Sequence, residues 1–126
     1  MFEYYNPNPK GKRTGDCVIR AICRAIDAEW LDVYLALCFE GAEMGDWGNV
    51  NTVWDRYLKE HGFTREVIPN TCPQCYTIAD FSRDHPQGTY ILATGSHAVC
   101  VASGRIYDTW DSSNEIPIYY YEEAEQ

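Results

Sequence analysis

The sequence contains no apolar run long enough to cross a membrane, and its first residues do not place an apolar run behind basic ones. A membrane-spanning helix needs about 20 predominantly apolar residues, and a secretory signal peptide needs a basic segment followed by an apolar one. We therefore expect neither a membrane partner nor an export signal. The prediction is a cytoplasmic protein whose thiols stay reduced.

Basic residues are scarce, because 10 Lys and Arg stand against 19 Asp and Glu, for a formal net charge of −9. Nucleic acids and acidic membrane surfaces attract basic proteins. The composition therefore argues against both as partners. The charge is uneven, since residues 1–26 carry five Lys and Arg against Glu3 and Asp16, a balance of +3 that leaves −12 for residues 27–126.

The spacing of the cysteines matches neither a disulfide framework nor a complete metal site. The six are Cys17, Cys23, Cys38, Cys72, Cys75 and Cys100. They are spread too thinly to predict a disulfide framework. Cys72 and Cys75 have the spacing of half a zinc site, but no second Cys or His pair lies at a matching spacing, and structural zinc takes four ligands. We interpret this pair as a loop with two thiols rather than a metal or redox site.

A length of 126 residues with 45% hydrophobic residues predicts a single domain over residues 1–126. Helical periodicity comes first along the chain and strand-like alternation second, which predicts an α+β fold with N-terminal helices packed on a C-terminal antiparallel sheet. Residues 1–16 are expected to form an extended arm. The predicted helices run from Cys17 to about Asp27, from Glu29 to about Glu40, from a cap at Asn51 or Thr52 to His61, and from a cap at Thr77 towards Pro86. The predicted strands are 63–68, 89–93, 97–102, 105–110 and 116–121.

The segment from Gly15 to Ile22 places a cysteine at the start of an amphipathic helix. Thr14 or Asp16 can cap that helix, so Cys17 is expected among the unpaired N–H groups at the positive end of the helix dipole. Such a position stabilises a thiolate and makes a cysteine nucleophilic. The alternative is that Cys17 is one more buried cysteine, a common place for this residue.

Ser103 and Gly104 separate two alternating runs and predict a two-residue hairpin turn. In the resulting register the numbers of opposed residues sum to 207, so His97 and Asp108 lie on one face as diagonal neighbours, about 7–8 Å apart along the backbone. Asp111 would point the other way, and we keep it as the second choice of carboxylate. Trp110 is expected beside His97.

These residues predict a nucleophilic site in which His97 takes the proton of Cys17 and Asp108 holds the imidazole in the required tautomer. Trp110 would shield the bond between His97 and Asp108 from water. Each residue taken singly also fits a structural role, with His97 as a satisfied strand histidine and Asp108 as a charge near a turn. The combination of the three favours a catalytic site.

The order of these residues resembles the papain-like cysteine peptidases, in which a cysteine opens the first long helix, a histidine starts a strand and an acceptor follows on the next strand. Asp108-Thr109-Trp110 is similar to the Asn-Ser-Trp stretch of papain-type enzymes. An Asp at this position, where papain-type enzymes have Asn, is similar to what the bacteriocin-processing peptidases of transporters have. The segments 15–26 and 88–111 also look like small uncharacterised bacterial and phage proteins of this fold.

The resemblance implies a papain-like fold and a hydrolase that cleaves a peptide or amide bond of a peptide or protein substrate. It assigns Cys17 as the nucleophile that forms an acyl-thioester, His97 as the general base and Asp108 as the orienting residue. Such a reaction needs no metal and no organic cofactor. One departure is that papain-like enzymes usually place a glutamine about half a dozen residues before the cysteine, where this chain has Gly11 and Lys12. Asn8 or Asn6 is the substitute that we expect as the second oxyanion donor, beside the Cys17 N–H.

Two other functions fit the same residues. The acidic remainder of the chain and the missing glutamine suggest a non-catalytic binding module, for instance a phage or bacterial protein that captures a basic partner. A transglutaminase or a deamidase would use the same triad, and no feature of the sequence separates either of them from a peptidase.

Overall fold

The protein is described here by a computed structural model that covers residues 1–69 and 75–124. It has an α+β fold, as predicted. The helices of the described chain are α1 (Cys17–Ile26), α2 (Trp30–Met44), α3 (Asn51–Glu60) and α4 (Ile78–Asp84). The strands are β1 (Phe2–Tyr4), β2 (Phe63–Val67), β3 (Thr89–Ala93), β4 (Ala98–Ala102), β5 (Arg105–Asp108) and β6 (Tyr119–Glu123). None of these helices combines the length and the hydropathy that a membrane crossing requires.

The strands form one six-stranded sheet in the order β1-β5-β4-β3-β6-β2. All neighbouring strands are antiparallel except β1 and β5, which are parallel with Phe2 opposite Ile106. The prediction of a purely antiparallel sheet is therefore wrong at this edge, where the arm at the start of the chain supplies the outer strand. Hydrogen bonds from Ile106 N to Met1 O (2.7 Å) and from Tyr5 N to Asp108 O (2.8 Å) extend the pairing.

Helices cover both faces of the sheet, which buries every residue of the central strand β4. On one face, α1, α2 and α3 pack over Ile91, Cys100 and Tyr121. On the other face, α4 packs over Leu92, Val99 and Val101 through Ile78 and Phe81. The predicted packing of N-terminal helices on the sheet is thus confirmed for three helices, whereas α4 forms a third layer.

The hairpin between β4 and β5 has the predicted register, with Ala102 opposite Arg105 and Cys100 opposite Tyr107. Ser103 and Gly104 form the turn with φ values of 52° and 73°. Such positive angles at both central positions match the right-handed twist of the flanking strands. This register places His97 directly before β4 and Asp108 at the end of β5.

Helix α2 is longer than the sequence predicts, because Gly41 lies inside it and the helix continues to Met44. Gly41 is needed for close packing and not for a helix end, since a Cβ on it would lie 2.6 Å from Asp46 O. Gly45, with φ of 71°, ends the helix instead. The loop that follows therefore folds back tightly onto α2 and carries Asn49 towards the start of α1.

Candidate active site

Helix α1 starts at Cys17, with Asp16 as its N-cap residue. The carboxylate of Asp16 does not cap the helix as predicted, but accepts bonds from Arg20 Nη1 at 2.7 Å and from Trp30 Nε1 at 2.9 Å. Cys17 is the first helical residue, so its N–H has no acceptor within the helix. The thiol is half-buried at the positive end of the helix dipole.

His97 connects the thiol to a carboxylate. Its Nε2 donates to Asp108 Oδ2 across 2.6 Å, and the imidazole also lies beside the Cys17 thiol and lowers its pKa. Because Nε2 is occupied by Asp108, Nδ1 is the nitrogen left for the sulfur. The side chain of His97 is 11% exposed, and the ring of Trp110 lies 4.9 Å from it between centroids, where it screens the imidazole from water.

The carboxylate of Asp108 is fully buried, and hydrogen bonds occupy both of its oxygens. Oδ2 accepts from His97 and from Ser112 Oγ at 2.7 Å, and Oδ1 accepts from Arg20 Nη2 at 2.9 Å and from Thr109 N at 2.8 Å. Burial alone would raise the pKa of Asp108, but these donors lower it below its usual value. The group therefore stays ionised and holds the imidazole in one orientation.

Asp111, the second choice of carboxylate, is exposed and accepts a hydrogen bond from Ser113 N at 3.1 Å. Among the hydrogen bonds and ion pairs of the described residues, none joins Asp111 to His97. The difference follows from the hairpin, because side chains alternate between the two faces of a strand and the chain turns away after Asp108. Of the two candidates, the structure brings Asp108 to the imidazole.

The charges of the site favour a thiolate paired with an imidazolium. Burial would raise the pKa of the Cys17 thiol, but its hydrogen bonds with His97 and with the main chain of Ala98, together with the positive charges of His97 and Arg20, lower it below its ordinary value. Burial would lower the pKa of His97, but the bonds to Asp108 and Cys17 raise it to about 9. The imidazole therefore holds its proton over the range in which the thiol loses one.

The pH dependence of Cys17 alkylation tests this pairing. Iodoacetamide reacts with the thiolate, so the alkylation rate of the folded protein should reach half of its plateau at a lower pH than a free cysteine, whose pKa is about 8.5. The measurement is mass spectrometry of Cys17 across the pH range, with the urea-unfolded chain as the reference. Identical midpoints in the folded and unfolded protein would mean that the thiol is not activated.

Two cavities flank the contact between Cys17 and His97. One, of about 160 Å³, is lined by Asn49, Asn51, Trp54 and the segment before β4. The other, of about 460 Å³, is lined by Arg13, Ser96 and Trp110. Both reach the sulfur and the imidazole, so a substrate chain can pass the thiol with one group on each side.

Asn6 and Asn8, the predicted oxyanion donors, line neither cavity. Asn6 Nδ2 donates instead to Lys12 O at 3.3 Å, and Asn8 Oδ1 accepts from Lys10 N at 2.8 Å, so both amides hold the turn of their own segment. The prediction of these two residues is wrong because short polar side chains bond their nearest main chain.

The amides that do line a cavity beside Cys17 are Asn49 and Asn51. Asn51 Oδ1 accepts from Trp54 Nε1 at 3.1 Å, which leaves the Nδ2 end of the amide for another partner. Sequence reasoning missed both residues because they come from the loop after α2 and the start of α3, not from the segment before the cysteine. Close packing at Gly41 and at Gly48, where an added Cβ would lie 2.6 Å from Asp46 O and 2.8 Å from Leu37 O, holds that loop against α2.

Cys75 is disulfide-bonded, so the expectation of reduced thiols is wrong at this residue. Cys72, the other member of the predicted pair, lies outside the described residues. Within the described chain, Cys17, Cys23, Cys38 and Cys100 are free thiols, and no group of three or more His, Cys, Asp or Glu is placed to hold a metal ion.

Arg20 and Ser112 are partners of Asp108 that the sequence did not assign. Arg20 lies one helical turn after Cys17, and its guanidinium bridges the carboxylates of Asp16 and Asp108. A signal existed for half of this bridge, since Arg20 lies four residues after Asp16, a spacing at which side chains on a helix meet. Ser112 had none, because its role depends on the turn after β5.

Comparison with known proteins gives no further assignment, since no family model, no curated protein and no solved structure matches this chain significantly.

Proposed function

We propose that this chain is a papain-like cysteine hydrolase that cleaves a peptide or amide bond through an acyl-thioester on Cys17. The observation that carries the proposal is the continuous set of contacts from the Cys17 thiol through His97 to the buried carboxylate of Asp108. The three residues come from α1, the start of β4 and the end of β5. A merely structural histidine would not need a thiol at the start of a helix on one side and an ionised, fully satisfied carboxylate on the other.

In the first half of the reaction, the Cys17 thiolate adds to the carbonyl carbon of the substrate amide. The imidazolium of His97 then gives its proton to the leaving nitrogen as the C–N bond breaks, which leaves an acyl-thioester and releases an amine. In the second half, neutral His97 takes a proton from water, and the hydroxide attacks the thioester. The carboxylic acid product leaves, and the thiolate and imidazolium are restored.

The oxyanion of each tetrahedral intermediate needs hydrogen-bond donors that are in place beforehand. The Cys17 N–H supplies one, because it opens α1 without an internal acceptor. We assign the second to an amide from the cavity on the Asn51 side of the thiol. Asn51 fits because Trp54 already holds its carbonyl oxygen and so directs its NH₂ group away from the helix.

The test is the chemistry of Cys17 on a mixed library of short peptides. We expect native protein to yield new peptide termini and, after rapid denaturation, an acyl adduct on Cys17 that hydroxylamine removes. Cys17→Ala should lose both products while it keeps the circular dichroism spectrum and the unfolding midpoint of the native chain. Cys38→Ala is the matched control, because Cys38 is an exposed free thiol on α2, and this variant should keep full turnover.

The same experiment identifies the acceptor of the acyl group. A peptidase releases new carboxyl termini, a deamidase converts glutamine to glutamate with loss of ammonia, and a transglutaminase joins the acyl group to an added amine. Release of any of these products at the same rate by Cys17→Ala and by native protein would contradict the proposal.

A non-catalytic binding module is the second candidate, and the outer face of α2 favours it. Leu31, Leu35 and Phe39 follow one another at four-residue spacing and are 56%, 44% and 72% exposed. Asp32 and Glu43 flank this apolar stripe, which suits a partner with apolar and basic groups. Salt-sensitive capture of such a partner that is unchanged in Cys17→Ala would support binding as the function.

A further inference from the structure

We propose that the cavity between Arg13 and Trp110 is a subsite for a carboxylate of the substrate, and that Arg13 is the residue that selects it. The proposal rests on the hydrolase function, since it names the substrate group that lies beside Cys17 during the reaction. The group recognised is a carboxylate close to the scissile bond, carried either by an acidic side chain or by a peptide terminus.

Arg13 is held at the site by the hairpin that carries Asp108. Its Nη2 donates to Thr109 O at 3.1 Å, although the two residues are far apart in sequence. Arg13 lines the same cavity as Cys17, His97 and Trp110. Arg13 is exposed, and its bond to Thr109 O holds the guanidinium at the edge of this cavity.

The guanidinium of Arg13 has no carboxylate partner among the residues that the structure describes. The other arginines of the described chain are engaged. Arg20, Arg56, Arg83 and Arg105 form ion pairs with carboxylates, and Arg24 and Arg65 lie over tyrosine rings. In a chain with a net charge of −9, an arginine that has only a main-chain acceptor is the exception. Because only Nη2 bonds Thr109 O in the described chain, the other N–H donors of the guanidinium remain for a ligand in the cavity.

The neighbouring charges do not cancel that of Arg13. Asp108 is paired with His97 and Arg20, and Asp111 turns its carboxylate to Ser113 and forms no ion pair with Arg13 in the described chain. Arg20 and His97, the other cations that line the cavity, are paired with carboxylates, so Arg13 is the cation of the described lining that can attract a negatively charged group.

The shape and chemistry of the cavity select a carboxylate. A guanidinium binds a carboxylate through two parallel N–H donors, and it is more weakly hydrated than an ammonium group. Trp110, which is 40% exposed, gives the cavity an apolar wall that excludes water from such a pair. A neutral or basic substrate would leave the Arg13 donors unpaired when it covers the cavity, and this costs affinity.

The test compares two reagents of similar size that alkylate Cys17, iodoacetate and iodoacetamide, of which only the first carries a carboxylate. The measured quantity is the ratio of their rate constants at Cys17, followed by mass spectrometry. We expect Arg13→Gln to lower this ratio about three- to fivefold, as for one partly exposed charge pair, by slowing iodoacetate and sparing iodoacetamide. Arg13→Lys should restore most of the ratio, because it keeps the charge.

Lys10→Gln is the matched control, since it removes one positive charge from the same segment but outside the cavity. This variant should leave the ratio close to the native value. An equal fall in Lys10→Gln and Arg13→Gln would overturn the subsite and leave only general attraction by the segment. An unchanged ratio in Arg13→Gln would overturn it as well.

The outcomes separate the subsite from the proposed function. Slow alkylation of native Cys17 by both reagents, at the rate of the unfolded chain, would contradict the hydrolase itself. Fast alkylation by both reagents with no effect of Arg13→Gln would contradict the subsite alone.

A protection experiment identifies the source of the carboxylate. Slower alkylation of Cys17 in the presence of N-acetylalanine indicates a peptide terminus, and slower alkylation in the presence of the α-amide of N-acetylglutamate indicates an acidic side chain. N-acetylglutamine amide, which is neutral, should protect less than either, and equal protection by all three would contradict recognition of a carboxylate.

Discussion

His97→Ala is expected to reduce the alkylation rate of Cys17 by iodoacetamide at pH 7 to about a tenth of the native rate or less. In the native protein the imidazolium pairs with the thiolate, and its own pKa is raised to about 9. Without that partner, burial raises the pKa of the thiol, and a cysteine with a pKa of about 8.5 or more is only a few per cent thiolate at pH 7. The measurement is the rate constant at Cys17 by mass spectrometry.

His61→Ala is the control for this experiment, because His61 is an exposed histidine at the end of α3 whose ring bonds Tyr57 O in its own helix. It should leave the alkylation rate unchanged. If His97→Ala reacts as fast as native protein and keeps its circular dichroism spectrum, the helix start alone activates the thiol and His97 has no part in it. The hydrolase mechanism would then lose its base.

Arg20→Met is expected to lower the free energy of unfolding by about 3–5 kcal/mol. Arg20 is 4% exposed and lies between two carboxylates, Asp16 at 2.7 Å and Asp108 at 2.9 Å. Methionine fills much of the same volume but leaves both buried carboxylates without their cation. Urea unfolding at neutral pH measures this loss of stability. The difference between the native protein and the variant should become smaller at acidic pH, where the carboxylates that lost their cation take up protons.

Arg105→Met is the matched control. Its ion pair with Glu3 is 3.5 Å long, and both side chains are close to half-exposed, so the loss should be about 1 kcal/mol or less. Equal destabilisation by the two variants would show that burial adds nothing to the Arg20 bridge. Because Arg20 also holds the Oδ1 side of Asp108, the Arg20 variant should in addition slow Cys17 alkylation in whatever fraction remains folded.

The part of the site that could be predicted from the sequence depends on local signals. Ser103-Gly104 fixes the register of the hairpin, because only small or turn-forming residues adopt two successive positive φ angles, and the register then places His97 beside Asp108. The start of α1 at Cys17 follows from the apolar periodicity and from the turn before it. The capping box at Thr77 and Asp80 similarly sets the start of α4.

The parts that could not be predicted depend on contacts between distant segments. No local pattern indicates that β1 pairs with β5, or that Gly41 serves loop packing and not a helix end. The second oxyanion donor was sought near Cys17 in sequence, whereas the cavity receives its amides from Asn49 and Asn51. The bridge that Arg20 forms between two buried carboxylates could not be predicted either, because it needs the position of β5.

The parallel pairing of β1 with β5 has a consequence for the order of events during synthesis. Phe2 meets Ile106 only after more than a hundred residues have been added, and contacts of such high sequence separation form slowly. Cys17 is made before His97 and Asp108, which follow it in the chain by 80 and 91 residues. Under the proposed mechanism, Cys17 therefore lacks the imidazole that would activate it until the hairpin of β4 and β5 has docked.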